Sequence, residues 1–266
     1  MNPMIRKELR QTMRERRGWV LPSLYLVALG AVAIFVYFQA IRRQGMGMGL
    51  EGPDIGIPLF LALLYAQLGV LLLLAPIFSA GALTIEKEQR TMAGLLTSLL
   101  TDIQIWWGKF LSSLLFVLLL LVAGLPVLSL AFAFGGVGLW ELFMVTVTTV
   151  LILASVSAVS LYWSSVFRRS VSATAVSYGS VVALCAVTAL LYAAQTAGGP
   201  QIPWTKLPLR TRAPLLANPF FFLTFSLTDP RDLYPEWVVS AVVFVLLGMV
   251  AAWMTLRNLR RNGDGG

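Results

Sequence analysis

The chain has 266 residues, of which 58% are hydrophobic and only 12% charged, and its mean hydropathy is +0.81. Ordinary globular domains carry about 45–50% apolar residues, so this composition excludes a soluble core and points to the bilayer as solvent. The net charge of +8 sits in short clusters outside the apolar runs, which fits attraction to anionic lipid and gives no basic surface for nucleic acid.

The N-terminal stretch NPMIRKELRQTMRERRGW places Asn2 to cap a helix and Pro3 at its first position. Ile5, Leu9 and Met13 recur every fourth residue, with Arg6, Arg10, Arg14 and Arg17 beside them. The pattern predicts an interfacial helix over residues 1–18, lying in the cytoplasmic headgroup plane with its arginines toward lipid phosphates. Ala31-Val32-Ala33 has the form of a signal-peptide cleavage site, but the apolar run continues unbroken through Phe38, so an uncleaved anchor is expected.

A helix needs about 20 apolar residues to cross a hydrocarbon core about 30 Å thick. Six stretches qualify: residues 19–40, 58–83, 110–132, 142–166, 171–194 and 237–256. Trp19, Trp106, Trp107, Trp140, Trp237 and Trp253 lie near their ends, where an indole suits the headgroup level. Six crossings put both termini on one side. That side carries most of the 20 basic residues, including Lys87, Arg90, Lys109, Arg168, Arg169, Arg257, Arg260 and Arg261. By the positive-inside bias the termini are cytoplasmic and the chain is a multi-pass protein of the cell membrane.

Between the second and third crossings, residues 84–109 hold an unusual charged cluster, Glu86, Lys87, Glu88 and Arg90. Met92, Leu95, Leu96, Leu99 and Leu100 then follow helical spacing, opposite the small residues Ala93, Gly94, Thr97 and Ser98. Thr101-x-x-Gln104 has the form of a capping box, with Asp102 in the first turn of the helix it starts. Ile103, Trp106, Trp107 and Phe110 are expected to form one apolar face leading into the third crossing.

The fourth and fifth crossings are rich in serine, and the Ser160–Ser164 and Ala173–Ser177 spacings suit close helix packing. Residues 195–236 form an extracytoplasmic loop with more than half of the 13 prolines. Within it NPFFFLTFSLTD repeats the Asn-Pro start at Asn218-Pro219 and predicts a short interfacial or re-entrant helix, far too short to cross.

The chemistry absent from the chain is also informative. There is no histidine. Gly108-Lys109 is no phosphate loop, because Ile103 stands where the first glycine belongs and Phe110 where Ser or Thr must follow the lysine. Carboxylates are missing from the interiors of the crossings, whereas gradient-driven carriers sense their ion through such groups. Energy for uphill movement therefore has to come from a separate ATPase, and no catalytic or metal-ligating residue is assigned.

The run E-K-E-Q-R-T-M-x-x-L-L followed by T-D-I-Q-I-x-x-G-K-F resembles the segment between the second and third membrane helices of type-2 ABC (ABC-2) transporter permeases. The resemblance implies an all-α polytopic membrane protein: one permease domain of six transmembrane helices, a cytoplasmic N-terminal amphipathic helix, and a coupling helix between crossings two and three. It implies an exporter subunit that is not itself an enzyme and binds no cofactor, with ATP and Mg held by a partner ABC ATPase subunit. It also implies pairing with a second copy or a sister permease. Carried over by position, Glu86, Glu88, Arg90, Thr91, Leu95, Leu96 and Lys109 are the residues coupled to the ATPase. The chain departs from the family's common proline at Leu99. By the same likeness the short helix, with Phe220, Phe221 and Phe222, stands at an outer gate. Two other readings are a non-transporting anchor that transmits ATP-driven motion, and a lipid-modifying enzyme using Asp229 and Asp232.

Overall fold

The structure is a computed structural model that describes residues 17–45, 52–90, 101–133, 138–196, 213–225 and 230–263. Among these residues seven α-helices follow in order: α1 (Arg17–Gly45), α2 (Gly52–Glu88), α3 (Asp102–Ala133), α4 (Leu139–Val166), α5 (Ser170–Thr196), the short α6 (Pro219–Phe225) and α7 (Pro230–Gly263). A 3-10 turn, Ala213–Ala217, precedes α6, and no strand occurs among the described residues. All but α6 are long and apolar enough to cross a membrane, so the protein is an all-α polytopic bundle of six crossings.

The helices overrun the apolar stretches read from sequence. At 1.5 Å per residue the 37 residues of α2 extend about 55 Å, well beyond a hydrocarbon core about 30 Å thick. The overhang carries Glu86, Lys87 and Glu88 as helical residues on a stalk continuous with the crossing. The first turns of α3 likewise hold Asp102 and Lys109.

Helices α2 and α4 form the centre and run in the same direction, because the C-terminal ends of both meet. Half of the α4 span is buried and 44% of those of α2 and α3, against 11% for α1 and α5. Lipid is as apolar as leucine, so the core of Leu63, Leu71, Phe116, Leu120, Ile152 and Phe244 is held by close packing and dispersion rather than by expulsion of water. Phe78 and Phe116 join α2 to α3 with ring centroids 4.4 Å apart.

Small and hydroxylated residues set the closest approaches. Ser155 donates across to the Phe244 carbonyl at 2.7 Å, and Gly248 of α7 lies against the same serine. Trp237 Nε1 donates to Thr148 Oγ1 at 2.9 Å, and Asn258 Nδ2 to Ser165 Oγ at 3.0 Å, so polar ties run the length of the α4–α7 contact.

One apolar face expected at the start of α3 is in fact two. Trp106 and Phe110 are buried and stacked at 4.8 Å, whereas Ile103 and Trp107 point outward. Successive helical residues are about 100° apart, so neighbouring tryptophans cannot share a face. Trp107, Trp140 and Trp253 remain exposed, as a headgroup belt requires; Trp106 and Trp237 are used inside.

Short helix α6 begins as its sequence predicts. Asn218 Oδ1 accepts from the Phe220 N–H at 3.0 Å, the capping contact, with Pro219 at the first helical position. The same Asn218 donates to Thr188 Oγ1 of α5 at 2.8 Å. Thr188 lies two turns inside the end of α5, so α6 dips into the bundle rather than resting on its rim.

A candidate coupling site at the charged end

The C-termini of α2, α4 and α7 and the N-termini of α3 and α5 bring charged and polar groups to one end of the bundle. The last helical carbonyls of α4 and the first amides of α5 have no partners within their own helices, and they carry the negative and positive ends of the two dipoles. Only the three residues Phe167, Arg168 and Arg169 separate α4 from α5, so both dipole ends fall at one corner.

The end of α2 supplies both complements. Lys87 Nζ donates to the carbonyls of Ser164 at 3.0 Å, of Ser165 at 2.5 Å and of Phe167 at 3.0 Å, placing an ammonium on the C-terminus of α4. Glu88 Oε1 accepts from the Ser170 N–H at 2.6 Å, placing a carboxylate on the N-terminus of α5. Both are charge-assisted bonds to groups that want that sign of charge. Beneath them Ser164 Oγ accepts from the backbone N–H groups of Leu83 and Thr84 at 3.0 and 3.1 Å, and Thr84 Oγ1 lies 2.9 Å from Ser170 Oγ. Ser164 thus brings α4 against the backbone of α2.

Glu86, the third charge, turns the other way and meets Lys109 of α3 at 3.1 Å. The lysine side chain is 8% exposed and the carboxylate 25%. Two residues past the end of α2, Arg90 has φ 57°, a left-handed conformation that an arginine adopts at a cost. On the far side of residues 91–100, the capping box forms reciprocally: Thr101 N–H donates to Gln104 Oε1 at 3.0 Å, and Gln104 N–H to Thr101 Oγ1 at 3.4 Å. Asp102 faces Arg260 of α7 at 3.9 Å.

Of the residues read as coupled to an ATPase, Glu86, Glu88, Arg90 and Lys109 are therefore brought to one end of the bundle. Thr91, Leu95 and Leu96 lie outside the described residues, as do Arg6, Arg10 and Arg14. Arg17 opens α1, and its side chain is not described. Glu86, Glu88 and Lys109 are engaged within the chain, while the Gln89 and Arg90 side chains are exposed. Lys87 was not among the candidates. Its partners are backbone carbonyls of a helix far along the chain, which have no side-chain pattern to betray them.

At the opposite end the three phenylalanines diverge. Phe220 lies against Tyr65 of α2, Phe221 against Tyr192 of α5, and Phe222 stacks on Phe244 of α7 at 5.2 Å. Tyr65 Oη and Thr224 Oγ1 share a hydrogen bond of 2.7 Å. Between α2 and α5 an almost wholly apolar crevice of about 450 Å³ is lined by Gly69, Leu72, Tyr178, Val182, Cys185 and Phe220. Tyr178 closes one wall by donating to the Leu73 carbonyl. Asp229 lies outside the described residues and the Asp232 side chain is not described; among the described residues no three His, Cys, Asp or Glu side chains group together.

Comparison with curated proteins returned no match. A family model described as ABC-2 family transporter protein matches residues 3–261. That match takes in all six crossings and the whole charged end, so the chain belongs to the ABC-2 family and is a multi-pass membrane permease of an ABC transporter, associated with an ABC ATPase and not itself a catalyst.

Proposed function

We propose that this permease is an exporter subunit of the cell membrane, driven by a separate ATPase that grips residues 91–100 on the cytoplasmic side. The observation that carries the reading is the base on which that segment stands. Its two flanks, the end of α2 and the start of α3, are joined by the Glu86–Lys109 pair at 3.1 Å, and one flank closes with the left-handed Arg90 while the other is capped at Thr101. A ten-residue segment held at both ends moves its anchors when it is pushed. In this reading Leu95 and Leu96 are the hydrophobic anchors in a groove of the ATPase, Thr91 and the exposed Arg90 set register, and Glu86, Glu88 and Lys109 hold the base.

The basic residues of the charged end support its cytoplasmic placement with both termini, and Arg6, Arg10, Arg14 and Arg17 then face anionic headgroups. Helix α5 supports pairing with a second permease copy or sister subunit: Ala175, Gly179 and Ala183 form an outward stripe, and a side chain at Gly179 would meet open space. Helix α6 with Phe220, Phe221 and Phe222 acts as the outer gate over the crevice, whose apolar wall takes the apolar part of a solute. ATP and Mg belong to the ATPase; this chain binds neither.

The test is co-purification. Leu95→Asp combined with Leu96→Asp leaves the permease inserted in the membrane but abolishes recovery of the ATPase with it. Full recovery of the ATPase would overturn the assignment of residues 91–100.

A further inference from the structure

Residues 91–100 are joined covalently to α2 and α3 alone, yet a transporter must also move the helices that line its pathway. Helices α4 and α5 have no chain connection to that segment except through the whole of α3. What links them at the charged end is the group of contacts made by Thr84, Lys87 and Glu88 with the α4–α5 corner.

Resting on the coupling reading above, we propose that Lys87 is a positioning residue that locks the α4–α5 corner to the end of α2, so that a displacement delivered to α2 carries all three helices together. The geometry suits this role better than it suits a contact with another protein. Lys87 points inward, its three donors are directed at the carbonyls of Ser164, Ser165 and Phe167, and no donor is left to offer an ATPase. Because the ammonium sits on the negative end of the α4 dipole, sliding the corner along α2 would strip a charge from its partners in a partly buried place. Glu88 on Ser170 prevents the complementary slip of α5, and Ser164 under the backbone of Leu83 and Thr84 fixes the depth. Three helices so joined respond as one body.

The experiment uses the complete complex with its ATPase, in a Cys185→Ser background that frees the chain of its single cysteine. A spin label is placed either at Ser98→Cys, within the gripped segment, or at Arg169→Cys, on the corner, and the change produced by ATP with vanadate is recorded. With Lys87 present, both labels respond. In Lys87→Met the ATPase still co-purifies and the label at 98 still responds, but the response at 169 is lost, and Lys87→Arg, which returns a cation and several donors, restores it. If Lys87→Met fails to assemble, Lys87→Gln, which keeps a donor without the charge, is read in the same way. A response at 169 that survives either uncharged variant overturns the proposal. Silence of the label at 98 with Lys87 intact would instead overturn the coupling reading on which it rests.

Discussion

The Glu86–Lys109 pair yields a prediction with a definite asymmetry. The lysine side chain is 8% exposed and the glutamate 25%, at 3.1 Å. Glu86→Gln takes the carboxylate away from an ammonium that solvent scarcely reaches, a loss of about 3 kcal/mol by the usual cost of breaking a buried ion pair. Lys109→Met takes the ammonium from the glutamate instead, but a carboxylate with a quarter of its side chain open recovers part of its hydration, so about 1–2 kcal/mol is expected. The double variant removes both charges together and should cost less than the two single losses added, giving a favourable coupling in the cycle. Unfolding of the purified permease by SDS titration in mixed micelles measures all four proteins. If Lys109→Met costs as much as Glu86→Gln, or if the two losses simply add, the pair is not the desolvated contact the geometry indicates.

Two further outcomes follow from close approaches. Gly124 of α3 faces Tyr25 of α1 and Gln67 of α2; a β-carbon there would overlap the tyrosine hydroxyl and lie 3.1 Å from Gln67 Oε1. Gly124→Ala should therefore cost about 1–3 kcal/mol through overpacking, and adding Tyr25→Phe should recover most of it in the same titration; no recovery would place the clash elsewhere. At the end of α2, Arg90→Gly relieves a left-handed arginine and should raise stability by about 1 kcal/mol, whereas Arg90→Ala, which keeps a β-carbon, should not. The glycine variant should nonetheless recover less ATPase on co-purification, because the exposed guanidinium is gone; undiminished recovery would remove Arg90 from the docking contacts.

The sequence displayed the architecture more plainly than the site. Crossings are legible because the bilayer demands a length that no soluble helix must meet. The capping box at Thr101 and the Asn218-Pro219 start were legible because every atom involved lies within four residues. The contacts at the corner were not. Glu88 meets Ser170, and Lys87 meets Ser164, across 82 and 77 positions of chain, and a carbonyl looks alike in every residue. Periodicity also misled at the start of α3, where apolar residues at positions 103, 106, 107 and 110 read as one stripe but serve lipid and core separately. The three phenylalanines of α6 show the same rule put to use: a 100° step sends consecutive rings to three different helices.

Helix α5 is fastened by Ser170 at the corner, by Tyr178 to the Leu73 carbonyl of α2, and by Cys185 and Thr188 to Asn218, and along most of its length it contributes little to the interior. A rod held at a few separate points but loosely backed between them can bow away from α2 in the intervals without emptying the core. Widening the apolar cleft beside Cys185 would then exchange one greasy surface for another, protein for lipid, and the bilayer itself would absorb most of the work.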